Sequence, residues 1–239
     1  MLQKTTGLVI HTTPYGETSL IAKVFTRQLG LRSYLVKGVR STKGRTKQNL
    51  MQPMSYLDMV VYDKPRDINF IKEMQPAHHW QTLDTQPQKT ALRFFASEAL
   101  YKSLREAEPS PTLFDYVVEQ MLQLDDTACN IAAYPIMFLL GLSRHLGIEP
   151  LDNYSKREGC FNLSEGCFQS QSAIYPQMTR ETSLLLHNYL QSFHSGTTPT
   201  GIPLADRQML LANLIAYYEV HLAGFGNFKS HEVLHAVLK

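Results

Sequence analysis

The first 80 residues alternate apolar and polar positions in short runs that turn residues separate. The alternation predicts five strands, at residues 6–11, 19–26, 31–37, 56–62 and 68–73. Turn signals such as Thr13-Pro-Tyr-Gly16 and the close spacing favour antiparallel pairing over strand–helix–strand units. Five short strands with a wide gap between the third and the fourth predict a five-stranded β-barrel of the OB type.

After Pro87 the apolar residues recur at the helical period, as in Leu92, Phe95 and Ala99. This period predicts helices over 89–107, 111–124, 130–146, 179–194, 205–223 and 230–238. The segment 147–178 is irregular and rich in Gly and Pro. The sequence therefore predicts an α+β multidomain chain, with an OB-type barrel in residues 1–80 and a helical domain in residues 81–239 that carries an irregular insertion at 147–178.

Charge is unevenly distributed, although the 239-residue chain has a formal net charge of only +2. Residues 1–80 contain 12 Lys and Arg against five Asp and Glu, a formal charge of +7, whereas the remainder contains 11 against 16, or −5. A basic front part favours a polyanionic partner. Three cysteines, with no signal-peptide pattern and no apolar run of membrane-spanning length, lead us to expect a cytoplasmic, nucleoid-associated protein without a membrane partner.

The strongest local feature is a basic segment, residues 37–47, which contains five cations and no acidic residue. Such a segment cannot form a core, but it can follow a phosphate backbone. The alternative is a solvated surface loop. Tyr34, flanked by Arg32 and Lys37, is the aromatic residue that we expect to stack on unpaired bases. The predicted nucleic-acid contacts are Lys37, Arg40, Lys43, Arg45, Lys47, Arg32 and Tyr34.

Two patterns suggest a metal site, but neither is complete. His231-Glu-Val-Leu-His235 has the spacing of zinc peptidases, yet only four residues follow it, so a third ligand would have to come from upstream, for example from His221 or Glu219. Cys160 and Cys167 lack the close pairing of structural zinc sites. With no other catalytic motif in the sequence, we expect no enzyme activity, no metal and no cofactor.

Several elements, in order along the chain, resemble the RecO family of recombination mediators. In the front part they are Pro14-Tyr-Gly-Glu-Thr-Ser19, Phe25-Thr26 and Lys37-Gly-Val-Arg40. The later elements are Phe138-Leu-Leu-Gly-Leu-Ser-Arg-His-Leu-Gly147, Phe161-Asn-Leu-Ser-Glu-Gly166, Tyr218-Glu-Val-His-Leu-Ala-Gly-Phe225 and Lys229-Ser-His-Glu-Val-Leu234.

The resemblance implies an N-terminal OB barrel, a C-terminal helical domain and a role in DNA repair and recombination after DNA damage. It also implies binding of single- and double-stranded DNA, strand annealing and indirect help in loading RecA on DNA covered by single-strand-binding protein. Expected partners are RecR and the acidic C-terminal tail of the single-strand-binding protein. Many relatives carry a four-cysteine zinc site in the region that matches 147–178, and this chain has only two cysteines there.

An acidic tail needs a cation beside an apolar groove. We consider four cations of the helical domain as candidates: Arg93, Lys102, Arg105 and Arg144. Two other functions also fit the sequence. One is an OB-type RNA-binding or ribosome-associated factor, which would use the same basic segment. The other is a scaffold whose helical domain acts while the basic segment is incidental.

Overall fold

The computed structural model describes residues 2–39, 45–63, 68–104, 108–172, 174 and 176–237, without the side chains of 45–47. The chain divides into two compact units, Met1–Thr127 and Ala128–Lys239. No helix of the described residues is long and apolar enough to cross a membrane.

The first unit begins with the predicted barrel. Its strands are β1 (Leu2–Tyr15), β2 (Ser19–Thr26), β3 (Gly30–Val36), β4 (Tyr56–Tyr62) and β5 (Asn69–Pro76), and a short helix, α1 (Arg45–Leu50), lies between β3 and β4. The closed order is β1-β2-β3-β5-β4, in which β1 also pairs with β4. Only the β3–β5 pair among these is parallel. The OB-type barrel is therefore confirmed.

Alternate residues of the strands fill the barrel, including Val24, Tyr34 and Leu57. Gly7 faces this interior, where a Cβ atom would lie only 2.6 Å from side-chain atoms of Met59 and Val24. Glycine fits this position because side chains from the two neighbouring strands, β2 and β4, already fill the space that a Cβ atom would need.

Two further helices pack against the barrel, α2 (Pro87–Ser103) and α3 (Pro111–Asp125). A β-bulge between Val9 and His11 interrupts the β1–β2 register, and there the Ser97 hydroxyl of α2 donates to the Ile10 carbonyl at 2.6 Å. Phe114 of α3 packs on Phe25 of β2, with ring centres 5.5 Å apart. The change from strands to helices falls between Pro76 and Pro87, but these contacts extend the compact unit to Thr127.

The second unit contains helices α4 (Tyr134–His145), α5 (Arg180–His194), α6 (Leu204–His221) and α7 (Ser230–Val237), which match four predicted helices closely. The buried Tyr218 hydroxyl of α6 donates to the Leu139 carbonyl of α4 at 2.6 Å. The region 147–178, predicted as irregular, contains a two-stranded hairpin of β6 (Cys160–Asn162) and β7 (Cys167–Gln169). The sequence analysis predicted neither this hairpin nor α1.

Candidate nucleic-acid interface

The basic segment begins where β3 ends. Lys37 is exposed at the first position after this strand. Arg40 and Lys43 lie outside the described residues, and Arg45 and Lys47 belong to α1 with their side chains outside the description. The phosphate contact stays a prediction for all five cations, and Lys37 is the one whose side chain the structure describes.

Lys37 lies over an exposed aromatic ring. Its Nζ is 5.7 Å from the ring centre of Phe70 on β5, which is within the range of a cation–π interaction. Among the described residues Lys37 has no carboxylate partner within salt-bridge distance. Its charge is therefore available to an anion.

Phe70 belongs to a row of apolar side chains that crosses the outside of the barrel. In the strand registers Leu2 pairs with Tyr62, Tyr62 with Phe70, Phe70 with Leu35, and Leu35 with Ile21. We call these five residues the outer row. Leu2, Tyr62 and Phe70 are each 46% exposed, whereas Leu35 and Ile21 are half-buried. One row thus contains two solvent-accessible rings on neighbouring strands.

Phe70 was missed by the sequence analysis, although it lies within a predicted strand. The only signal in the sequence was the alternation of polar and apolar residues, which places Asn69 and Phe70 on opposite faces of the strand. In the structure Asn69 is buried and Phe70 is exposed. Alternation separates the two faces of a strand but does not say which of them is outside. Only the pairing of β5 with β3 and β4 shows that Phe70 faces solvent beside Lys37.

The structure corrects the expectation that the ring of Tyr34 is accessible for stacking on bases. Its side chain is fully buried in the barrel core, so its ring is not accessible to a base in this structure. Burial raises the pKa of its hydroxyl well above the ordinary value, and the nearby Asp63 raises it further. Tyr34 was selected because cations flank it in the sequence, and the sequence alone did not assign it to the inner or the outer face of the strand.

Arg32 is also more constrained than expected. Its Nε lies 3.3 Å from Oδ1 of Asp63, and one of its terminal nitrogens donates to the Leu31 carbonyl. Arg32 is two residues from Tyr34 and therefore shares the inner side of β3. The Asp63 ion pair offsets part of its charge, and the phosphate contact of Arg32 stays a prediction.

The candidate cations of the helices are paired as well. Arg93 is buried and bonded to Asp84, and Lys102 lies 4.0 Å from Glu98, one helical turn before it. Arg144 makes a bidentate pair with Glu149, at 2.9 and 2.8 Å, and stacks on Phe193. Arg93, Lys102 and Arg144 therefore already have carboxylate partners, which makes them weaker candidates for an acidic tail. Arg105 lies outside the described residues.

A different cation borders an apolar groove in the second unit. The groove is lined by Ala132, Pro135, Ile136, Leu204, Leu211 and Leu234. Arg207, also at its wall, donates to the carbonyl oxygens of Ile202 and Ala132 at 3.1 and 3.0 Å. Within the described part of the chain no carboxylate forms a salt bridge with Arg207, so no ion pair offsets its positive charge there. The sequence analysis did not select Arg207.

The two cysteines do not fit a four-cysteine metal site. Cys160 and Cys167 lie on the same face of the β6–β7 hairpin, where the two other positions are Asn162 and Gln169. Asn162 donates to the Gln169 side chain at 3.0 Å. Amide groups therefore occupy the two other positions of this face. Across residues 2–39, 45–63, 68–104, 108–172, 174 and 176–237 no three His, Cys, Asp or Glu side chains are grouped so that they could hold a metal ion.

The two histidines of the zinc-peptidase pattern lie on α7, with ring centres 5.8 Å apart. His221, a possible third ligand, instead bonds the Leu163 carbonyl oxygen at 2.9 Å through Nε2. Leu234, between the two histidines, is buried and lines the apolar groove. The described geometry supports a packing role for α7.

Comparison with known proteins covers nearly the whole chain. The family description "Recombination protein O N terminal" matches residues 1–80, and "Recombination protein O C terminal" matches residues 85–231. A DNA repair protein RecO of Phocaeicola vulgatus is 32% identical over 98% of both chains, and one of Christiangramia forsetii is 33% identical over 99% of both. A third, of Flavobacterium psychrophilum, is 33% identical over 98% of both.

A closed five-stranded barrel followed by helices is the fold that the family resemblance implied, and both regions match in order. The chain belongs to the RecO family of DNA repair proteins.

Proposed function

We propose that the protein is a recombination mediator that binds DNA through its barrel, anneals complementary single strands and helps to load RecA on strands covered by single-strand-binding protein. The observation that carries this proposal is the basic segment. It begins at Lys37, which lies beside exposed rings and has no carboxylate partner among the described residues. The family relationship supports the same function.

The mechanism is electrostatic. Two DNA strands repel each other through their phosphates, and bound cations lower this repulsion so that complementary bases can meet. If all five cations of the basic segment contact phosphates, the affinity for single strands falls with salt at a log–log slope of about −3.5. No covalent step is needed, so the proposal involves no catalytic residue.

The second unit provides the partner contacts in this proposal. The acidic tail of a single-strand-binding protein would lie in the apolar groove, with its carboxylates toward Arg207. Arg207 replaces the paired cations Arg93, Lys102 and Arg144 as the candidate. RecR remains an expected partner whose binding surface we do not assign.

Charge removal in the basic segment tests the proposal. We expect the variant K37Q/R40Q/K43Q/R45Q/K47Q to lose most of its annealing activity, and its salt slope for single strands to approach zero, because the phosphate contacts are gone. The measurements are fluorescence annealing of complementary strands, bare and covered by the cognate single-strand-binding protein, and anisotropy titrations at several salt concentrations.

A matched pair of variants controls for net charge. K37Q/K47Q and K156Q/R157Q each remove two cations, but Lys156 and Arg157 are exposed in the second unit. Only the first variant should weaken binding. Unchanged annealing by the five-site variant would refute the proposal, and stronger binding of matched RNA than of DNA would favour an RNA-binding function.

A further inference from the structure

We infer that Tyr62 and Phe70 form a stacking site for unpaired bases, and that this barrel face therefore distinguishes single strands from duplex. The inference rests on the proposed function, and it adds a contact that charge alone does not provide. It places the bases on β4 and β5, outside the basic segment.

The register places the two rings side by side. Tyr62 and Phe70 are directly paired across the antiparallel strands β4 and β5. Side chains at paired positions have Cβ atoms about 5 Å apart. Two rings at this spacing can each receive one of two successive bases, since a base stacks on any aromatic face without regard to its identity.

The rings of Tyr62 and Phe70 are both accessible to solvent. Each is 46% exposed, as is Leu2, the next member of the outer row. Single exposed apolar residues are common, but a contiguous exposed row more often marks a binding surface. The row continues through Leu35 and Ile21, so a single-stranded nucleic acid that extends beyond the two rings still contacts apolar surface.

The charges around the rings fit a nucleic acid. Lys37 lies over Phe70, and the exposed Lys72 and Lys4 follow Phe70 and Leu2 by two residues on their strands. Glu73 pairs with Lys72 at 3.4 Å. Lys37 and Lys4 have no acidic partner within salt-bridge distance among the described residues, and they leave a positive surface for phosphates beside the rings.

Duplex DNA cannot use this site. In a duplex both faces of each base are covered by neighbouring base pairs, so the backbone and the base edges can reach a protein surface but the base faces cannot. Unpaired strands present base faces and phosphates together. A contact through the rings therefore adds affinity only for single strands, whereas the cations act on both forms.

Four variants test the inference: Phe70→Ala, Tyr62→Ala, the double variant, and Phe94→Ala as the matched control. Phe94 is 43% exposed on α2 and has the Arg93 guanidinium 6.0 Å from its ring centre, so it is an exposed ring beside a cation away from the outer row. The probes are a fluorescent oligo-dT strand and a duplex of equal length, measured by anisotropy over a range of salt concentrations.

We expect each alanine variant at position 62 or 70 to lower the dT affinity by about fivefold or more, the loss typical of one base–aromatic stack. The salt slope should not change, because the rings carry no charge, and duplex affinity should stay within about twofold of the wild type. The Phe94→Ala variant should bind like the wild type. If an alanine variant does not fold, Tyr62→Leu or Phe70→Leu replaces it in the test. These variants keep apolar bulk without a ring and should show the same loss of dT affinity.

The failures are distinguishable. If the wild type binds neither probe at low salt, the proposed DNA-binding function fails. If the wild type binds dT and the double variant binds equally well, only the stacking inference fails. An equal loss for dT and duplex, or a shifted salt slope, would also overturn it. Loss of a wild-type dimer in the double variant, measured by sedimentation, would instead assign the outer row to a second copy of the chain.

Discussion

At the scale of single residues, Asp125 shows how one carboxylate fixes a segment of chain. It accepts hydrogen bonds from the backbone N–H groups of Gln81, Thr82 and Leu83, at 2.9, 2.7 and 3.0 Å. Burial raises the pKa of Asp125, but these N–H groups together lower it by more, so its pKa lies below the ordinary value. The charged form is therefore the one that stabilises the entry to α2.

The lowered pKa predicts how stability depends on pH. A carboxyl group whose pKa is lower in the folded state stabilises the fold above its unfolded pKa, and the contribution is lost as pH falls through the folded pKa. We expect Asp125→Ala to lower the free energy of unfolding by about 1–3 kcal/mol near pH 7, because three donors lose their acceptor. Urea titrations at pH 7 and pH 3 measure this difference, which should shrink at the lower pH.

The control for this prediction is Glu108→Gln, since Glu108 is an exposed carboxylate of the same unit. It should change the unfolding midpoint little at either pH. A destabilisation by Asp125→Ala that is as large at pH 3 as at pH 7 would contradict the role of the charge.

At the scale of elements, the β6–β7 hairpin holds its shape with amides and rings. The buried Asn162 side chain accepts from the backbone of Ser164 and Glu165, at 2.8 and 3.2 Å. On the opposite face Phe161 and Phe168 pack edge to face, with ring centres 5.1 Å apart. These hydrogen bonds and ring contacts connect the two strands of the hairpin, as metal–thiolate bonds would in a zinc site.

We therefore expect the second unit to keep its stability in a metal chelator, with no change in the thermal midpoint. Asn162→Ala should lower the unfolding free energy by about 1–3 kcal/mol, because it removes the acceptor of two partly buried N–H groups. Calorimetry with and without chelator, together with metal analysis, measures both effects. Ser170→Ala, an exposed polar position next to the hairpin, is the control. One tightly bound zinc per chain would contradict the prediction.

The elements also show what the sequence predicts and what it does not. Strands such as β2 and β4 were predicted with the correct ends, because alternation within a strand is local. The short helix α1 was missed because Arg45–Leu50 has no apolar period. Cation density in the basic segment is equally local and visible. The positions of Tyr34 inside and Phe70 outside depend on pairing between strands distant in sequence, which the alternation of one strand does not determine.

At the scale of the whole molecule, positive charge is concentrated in the barrel part of the chain, with +7 in residues 1–80 and −5 in the remainder. The proposed attraction of DNA is therefore directed mainly to residues 1–80. This attraction is between exposed charges, and salt screens such charges over a distance of about 10 Å at 0.1 M.

We expect opposite effects of salt on annealing with and without the protein. Spontaneous annealing should become faster with salt, because screening reduces the repulsion between strands. The acceleration by the protein should fall, since the affinity for single strands decreases about a hundredfold from 50 to 200 mM salt if five phosphates are contacted. The ratio of the two rates, measured by fluorescence across this range, should decrease steadily. A ratio independent of salt would contradict an electrostatic mechanism.

The outer row has a thermodynamic consequence. Its five members come from all five strands, and Leu2 joins the other four only when β1 pairs with β4. Separation of β1 from β4 leaves the amino acids in place but removes Leu2 from the row. A ligand that spans the row as far as Leu2 therefore binds only the form in which β1 and β4 are paired, and its binding free energy adds to the resistance of this pairing against opening.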